Sequence, residues 1–336
     1  MIGGIMSKVK TRLGNNKQLL VIMVLWIIIA AFFSATTSGF ATSNNIFNLL
    51  RQVSVMGLLS IGMAIVVISG GLDLSVGSQV ALTSVIIGKL NVDLGVNIFL
   101  CLLIAICVGI IVGFFNGWVI NTFEVAPMIA TLSMQTILSG ISFNITNAMA
   151  IYGIDERIKT FGQGYIGTVP IPVIITVIFM AIGVFLLKKT YIGRYFYAVG
   201  SNAEATRLSG ISVKSVRIVS YVICGIMSSL GGIVMTGRLN SGQPTCGDGL
   251  EMDVLTAIIV GGVSTIGGKG SMLGVALGVL LIGTLANGLG VMGVSSYNQK
   301  IAKGLVLLAV ICVDGVSTII ARSRVVQKKS EAVADK

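Results

Sequence analysis

The sequence predicts an all-α fold, a polytopic integral membrane protein of about ten transmembrane helices. Three observations predict it. Of 336 residues, 54% are hydrophobic and 10% are charged, far below the roughly 25% charge of an ordinary soluble domain. The apolar residues fall into runs close to the roughly 20 residues that a helix needs to cross a bilayer. Short segments rich in Gly, Ser, Asn and basic residues separate the runs. Too few charges remain to cover a water-soluble core of this length, so 1–336 reads as a single transmembrane domain.

The chain opens with a basic segment, 1–18, carrying Lys8, Lys10, Arg12 and Lys17. The apolar stretch Leu19–Phe33 follows and reads as a retained first span; small residues at Ser34, Ala35 and Thr36 leave a cleaved signal peptide as the alternative. From Ser43 to Val53, Ile46, Leu49, Leu50 and Val53 recur at helical spacing beside Asn44, Asn48, Arg51 and Gln52. That pattern predicts a short amphipathic helix on the outer interface. Further apolar runs cover approximately 54–70, 72–90, 97–120, 125–146, 170–187, 217–236, 254–268, 271–290 and 301–320. Ala148–Pro170 and Arg238–Asp253 are then the longer outer loops.

Charge placement orients the chain. Basic residues cluster at 1–18, at Lys188 and Lys189, at Lys269, and in the tail 321–336 at Arg322, Arg324, Lys328 and Lys329. Such clusters mark cytoplasmic edges, so both termini and 188–217 are expected in the cytoplasm. The net charge of +11 is dispersed among these edges. It forms no contiguous face, which argues against nucleic-acid binding and for a bilayer as the surrounding partner.

Ile65–Gly88 resembles Ala257–Gly283, each an apolar run, a glycine-centred break and a second apolar run. This is a weak internal repeat. In transporters, paired interrupted segments point to the substrate path; chance likeness of two glycine-rich spans is the other explanation. Gly109, Gly113 and Gly117, and again Gly270, Gly274 and Gly278, allow close helix approach, either within one subunit or between two.

Little in the chain suggests catalysis. It has no histidine, and Cys101, Cys107, Cys224, Cys246 and Cys312 lie in or beside apolar runs without CxxC spacing. They read as small apolar residues, and neither a metal nor a cofactor is expected on this chain. Gly261–Ser271 superficially resembles a phosphate loop, but Val263 and Gly270 occupy positions where that motif needs Gly and Ser or Thr. A tight helix–helix turn is expected there instead.

Polar residues within the spans are candidates for a solute pathway. Asp73 lies in GGLDLSVG, where amides of 75–77 either cap it or leave it, with Ser75, to line a path. Asn116, Asn121 and Thr131 (the last with Ser133 and Gln135) are further candidates, and Gln243 sits in a stretch, 240–245, that is a gate or a turn. The other acids near apolar runs, Glu124, Asp248, Glu251, Asp253 and Asp314, lie mostly at their ends. No buried proton relay is evident.

The longest polar run between apolar segments is 188–217. Within it Asn202 opens, and Gly210 closes, a short helix bearing Glu204, Ala205, Thr206 and Arg207. This helix is a candidate docking knob for a soluble partner.

From Asn44 to Asp314 the chain resembles the permeases of bacterial ABC importers for simple sugars, the branched-chain and ribose-type permease family. The resemblance is carried by Ser69–Ser78, Pro127–Leu132, Gly200–Ile211, Arg238–Thr245 and Gly261–Gly270. It implies a second permease copy, a cytoplasmic ATPase that uses ATP and Mg, and an extracytoplasmic sugar-binding protein in the bacterial inner membrane. In ABC importers a Glu-Ala-Ala-x-x-x-Gly segment docks into the ATPase. Glu204-Ala205-Thr206 followed by Gly210 keeps that spacing with threonine third, whereas the downstream Ile-x-Leu-Pro is absent, Ile218 being followed by Val219-Ser220-Tyr221. Arg207 is either an added contact to the ATPase or a solvated surface residue.

Overall fold

The computed structural model describes residues 2–309 and 312, with side chains from residue 19 onward. Helices α1 (Ile2–Thr36), α2 (Ser43–Ile68), α3 (Val76–Gly88), α4 (Ile98–Thr122) and α5 (Pro127–Thr146) come first. A short α6 (Lys159–Gln163) and a two-stranded antiparallel hairpin, β1 (Tyr165–Ile166) and β2 (Val169–Pro170), follow. The chain continues through α7 (Ile171–Lys189), α8 (Tyr191–Ser201), α9 (Ala203–Leu208), α10 (Val213–Leu239), α11 (Leu250–Val260) and α12 (Met272–Val291). Residues 296–309 are again helical; the tail 321–336 and half of the run 301–320 lie outside the described residues.

Local chemistry sets the helix ends. Thr42 accepts the Asn45 amide at the start of α2, and Asn97 accepts the Phe99 amide at the start of α4. Pro127 sits in the first turn of α5, where its missing N–H costs nothing, and Asn147 ends that helix in the left-handed region.

Seven helices among the described residues are long and apolar enough to span a bilayer: α1 from Leu19, α2, α4, α5, α7, α10 and α12. Two expected spans are shorter than their apolar runs. α3 has 13 residues and α11 has 11, because glycine-rich stretches interrupt the helical hydrogen bonds at 69–75 and 261–271. The separate interfacial helix expected at Ser43–Val53 is absent. Those residues are the first turns of a single 26-residue α2, and their apolar face meets other helices: Leu49 and Val53 pack near Gly283 of α12. The first apolar run lies against α12, with Trp26 Nε1 donating to Thr284 Oγ1 at 3.0 Å.

α2 and α10 form the centre of the bundle. In α2, 89% of the most apolar stretch is buried within the protein, against 17% in α7, which lies at the periphery. Both glycine runs serve packing inside one chain. A methyl group on Gly113 of α4 would lie 2.3 Å from the Tyr221 carbonyl oxygen, and one on Gly225 of α10 would lie 2.1 Å from that of Gly109. Likewise Gly274 and Gly278 of α12 press on the carbonyls of Gly261 and Ala257, each at 2.0 Å from a built methyl. The backbones touch.

The stretch 240–249 departs from the expected outer loop. It turns back into the bundle and runs antiparallel to α3: Gly242 lies against Ser84 and Gly88, while Gly247 lies against Gly77. Non-helical backbone at such depth is tolerated only where protein or a wet path surrounds it. Here Gly242 pairs with Ile151 through two backbone hydrogen bonds of 2.8 Å, and Gln243 N–H donates to Ser84 Oγ at 3.3 Å. Absence of side chains at Gly242 and Gly247 is what lets this strip reach α3.

Replacing Gly225 by valine is expected to wedge α10 away from α4. Overpacking of this kind costs about 1–3 kcal/mol, and thermal unfolding of the purified protein in detergent should show a melting temperature lower by several degrees.

Candidate functional site

Three glycine-bearing segments meet at one end of the bundle. The Gly268 amide, in the break between α11 and α12, donates to the Ile68 carbonyl at the end of α2 at 2.9 Å. Tyr197 of α8 donates its hydroxyl to the Gly270 carbonyl at 2.9 Å. Gly200, near the end of α8, fits between them so tightly that a methyl would lie 1.9 Å from the Ile68 oxygen and 2.6 Å from the Gly268 nitrogen. The two helix–break–helix segments of the internal repeat therefore touch at their breaks, and the polar segment sits on the joint.

From that joint α9 projects outward. Asn202 adopts extended backbone and its side chain accepts the Ala205 amide at 2.9 Å, while Gly210 lies at φ +81° beyond the helix end. Asn202 and Gly210 thus bound the helix where the sequence predicts. Glu204 and Arg207 are both exposed and bind each other through two hydrogen bonds, of 2.5 and 3.1 Å. Those bonds and the guanidinium charge hold the Glu204 carboxyl below its ordinary range. Thr206 differs from its neighbours: it is buried, and its hydroxyl donates to the Asn202 carbonyl at 2.7 Å. It seats the helix, while Glu204 and Arg207 face outward.

Two features here escape the sequence. Leu208 is 75% exposed at the tip of α9. Next to it, a cleft of about 230 Å³ opens between α8 and α9, lined by Ala198, Ser201, Asn202, Ala205, Thr206, Ser209 and Ile211. An apolar residue in a polar run was the available signal for Leu208. The cleft depends on how α8 and α9 fold against each other, which no local pattern encodes.

Inside the bundle, the break at 69–75 gathers three of the pathway candidates. Asp73 Oδ1 accepts the Ser75 amide at 3.0 Å and the Ser75 hydroxyl at 2.6 Å. Asn116 of α4 donates to Ser75 Oγ at 3.0 Å. Asp73 is 1% exposed, and its Oδ2 makes no well-aligned hydrogen bond, with the Asn116 amide and Cys224 thiol nearby. A fourth candidate, Thr131 of α5, borders the cluster with its hydroxyl 3.4 Å from the Leu72 carbonyl, which also accepts from Tyr221 at 3.1 Å.

The remaining two are not part of it. Asn121 spends its amide on the Gly117 carbonyl of its own helix at 2.6 Å. Gln243 lies in the strip beside α3 and donates to Ser241 Oγ at 2.9 Å.

A polytopic bundle with two interrupted helix pairs, a polar cluster inside one break and a polar knob seated on both is built as a transport permease. The chain belongs to the family described as branched-chain amino acid transport system / permease component, whose family model matches residues 45–311. It is 40% identical over 310 residues to the ribose import permease protein RbsC of Escherichia coli (strain K12), covering 91% of this chain and 95% of that one. To the ribose import permease protein RbsC of Bacillus subtilis (strain 168) it is 39% identical over 289 residues, 85% of this chain and 89% of the relative. To the D-allose transport system permease protein AlsC of Escherichia coli (strain K12) it is 36% identical over 293 residues, 87% and 89% respectively. No solved structure matches the chain.

Changing Gly200 to alanine should lift α8 from the joint without touching any buried apolar side chain. Hydrogen exchange of amides in 190–212 is expected to rise by about tenfold, the effect of roughly 1.4 kcal/mol of local destabilisation, while exchange in α4 stays unchanged.

Proposed function

We propose that this chain is the membrane-spanning subunit of an ABC importer that carries a simple sugar, ribose or a similar pentose, inward across the bacterial inner membrane. The observation that carries the reading is the similarity to ribose import permeases over nearly the full chain. The knob at α9 supports it, because an exposed helix carried on α8, which itself rests on both helix breaks, is where an external engine would act.

In this reading both termini and α9 face the cytoplasm. A separate ATPase, which binds the ATP and Mg, docks on α9. A second copy of the chain completes the pathway, and an extracytoplasmic sugar-binding protein delivers the solute. Asn202, Thr206 and Gly210 shape the knob; Glu204, Ala205, Arg207 and Leu208 make its contact surface. ATP binding moves the docked helices, the spans rock, and the path opens to one side at a time. Asp73, Ser75, Asn116 and Thr131 supply polar groups along the path, where a neutral sugar needs hydrogen bonds and no fixed counter-charge. Asn121 and Gln243 are weaker members, each bonded to its own segment.

A stand-alone carrier or channel is the rival function. In proteoliposomes, ribose uptake should require ATP, the ATPase subunit and the binding protein together; accumulation by the permease alone, driven by an ion gradient, would establish the rival. Glu204→Lys places a second cation beside Arg207 and should lower ATP-driven uptake on the order of tenfold. Leu208→Asp should weaken ATPase co-purification to a similar extent, about tenfold. Both variants should insert normally, as read by yield and size-exclusion profile.

A further inference from the structure

Glu251 has no part in the cluster around Asp73, yet among the described residues it is the other buried carboxylate. It lies in the first turn of α11, directly after the non-helical strip 240–249, and is 7% exposed. Gln135 of α5 reaches across and donates its Nε2 to Glu251 Oε1 at 3.2 Å. Beyond Gln135, the donor near the carboxylate is its own backbone amide, and Oε2 makes no well-aligned hydrogen bond. Space for Oε2 exists only because residue 77 of α3 is glycine: a methyl there would lie 2.5 Å from it.

Among the described residues, no lysine or arginine forms an ion pair with this group. Its charged neighbours are Asp248 and Asp253, both acidic, and Lys303 is engaged by Asp253 at 2.6 Å. A carboxylate buried inside the bundle with only neutral donors and a vacant acceptor oxygen is costly for the fold. Packing alone does not account for it, since a leucine or glutamine would sit there at less cost.

We infer that Glu251 and Gln135 form a hydroxyl-binding station on the translocation path, where the passing sugar donates O–H groups to the carboxylate and exchanges hydrogen bonds with the amide. The chemistry fits a neutral polyol: a carboxylate only accepts, hydroxyl groups donate, and the glutamine amide both donates and accepts. The position fits as well. Glu251 joins α11, α3 and α5, and the adjoining unwound strip is the kind of backbone that borders a path. This inference rests on the import function proposed above.

The test uses the complete importer in proteoliposomes, with labelled D-ribose as the probe and both uptake and ATP hydrolysis measured. In Glu251→Ala and in Gln135→Ala, the ATP hydrolysed per ribose imported should rise about tenfold, the effect of one lost charge-assisted hydrogen bond. Glu251→Gln, which keeps the shape and one acceptor oxygen, should show a smaller rise. A ratio unchanged from wild type in Glu251→Ala, with uptake and hydrolysis falling together or not at all, would assign the residue to structure and overturn the inference. So would wild-type uptake that requires a sodium or proton gradient and loses that requirement in Glu251→Gln, since the carboxylate would then serve a cation. Absence of ATP-driven ribose uptake by the wild type defeats the import function itself, whereas normal wild-type uptake with an indifferent Glu251 defeats the station alone.

Discussion

The whole bundle depends on backbones that touch where glycine removes the side chain. In lipid, apolar side chains gain nothing by leaving hydrocarbon for other hydrocarbon, so helices associate through close van der Waals fit and internal hydrogen bonds. Gly109, Gly113 and Gly225 bring α4 and α10 together in this way, and Gly261, Gly274 and Gly278 do so for α11 and α12. The same device operates at Gly200, where α8 is locked to the ends of interrupted helices. It adds a backbone contact to the hold that Phe196 and Val199, both buried in the core, already give α8.

Polar groups in the interior follow from this architecture. A helix that stops inside the bundle exposes amides and carbonyls that need partners. Asp73 accepts the amide and hydroxyl of Ser75, the residue just before α3, and Ser75 in turn accepts from Asn116 of α4. The Leu72 backbone, left outside any helix, is held by Tyr221 in both directions, its amide at 3.2 Å and its carbonyl at 3.1 Å. Polar residues are thus concentrated where helical hydrogen bonding is interrupted, which is also where a hydrophilic solute would find partners.

Much of this is legible in the sequence, for physical reasons. The span pattern follows from hydropathy, and α9 was readable from Asn202 and Gly210 because capping is a local matter. The glycine runs announced close packing, though spacing alone did not say which helix would be the neighbour. What escaped is what depends on tertiary contact. Ser43–Val53 carries an amphipathic pattern that suits a membrane surface equally well, and only its packing near α12 makes it the start of α2. The inward course of 240–249 is set by Gly88 and Gly77 on a different helix. Thr206 sits among exposed neighbours in sequence, yet its side chain is turned inward. Asn116 and Asn121 read as equivalent asparagines; helix geometry sends one to Ser75 and the other to its own turn.

The placement of the two buried acids has an electrical consequence. Asp73 lies at the start of α3 and Glu251 in the first turn of α11, and the N-terminus of a helix carries a partial positive charge. The aligned amides at the start of α11 therefore offset part of the Glu251 charge, although its Oε2 still lacks a hydrogen-bond partner. Such compensation is fixed in the backbone and cannot swing away with a side chain. If the proposed path runs past these acids, an uncharged solute would meet a compensation that stays in place while the solute moves on.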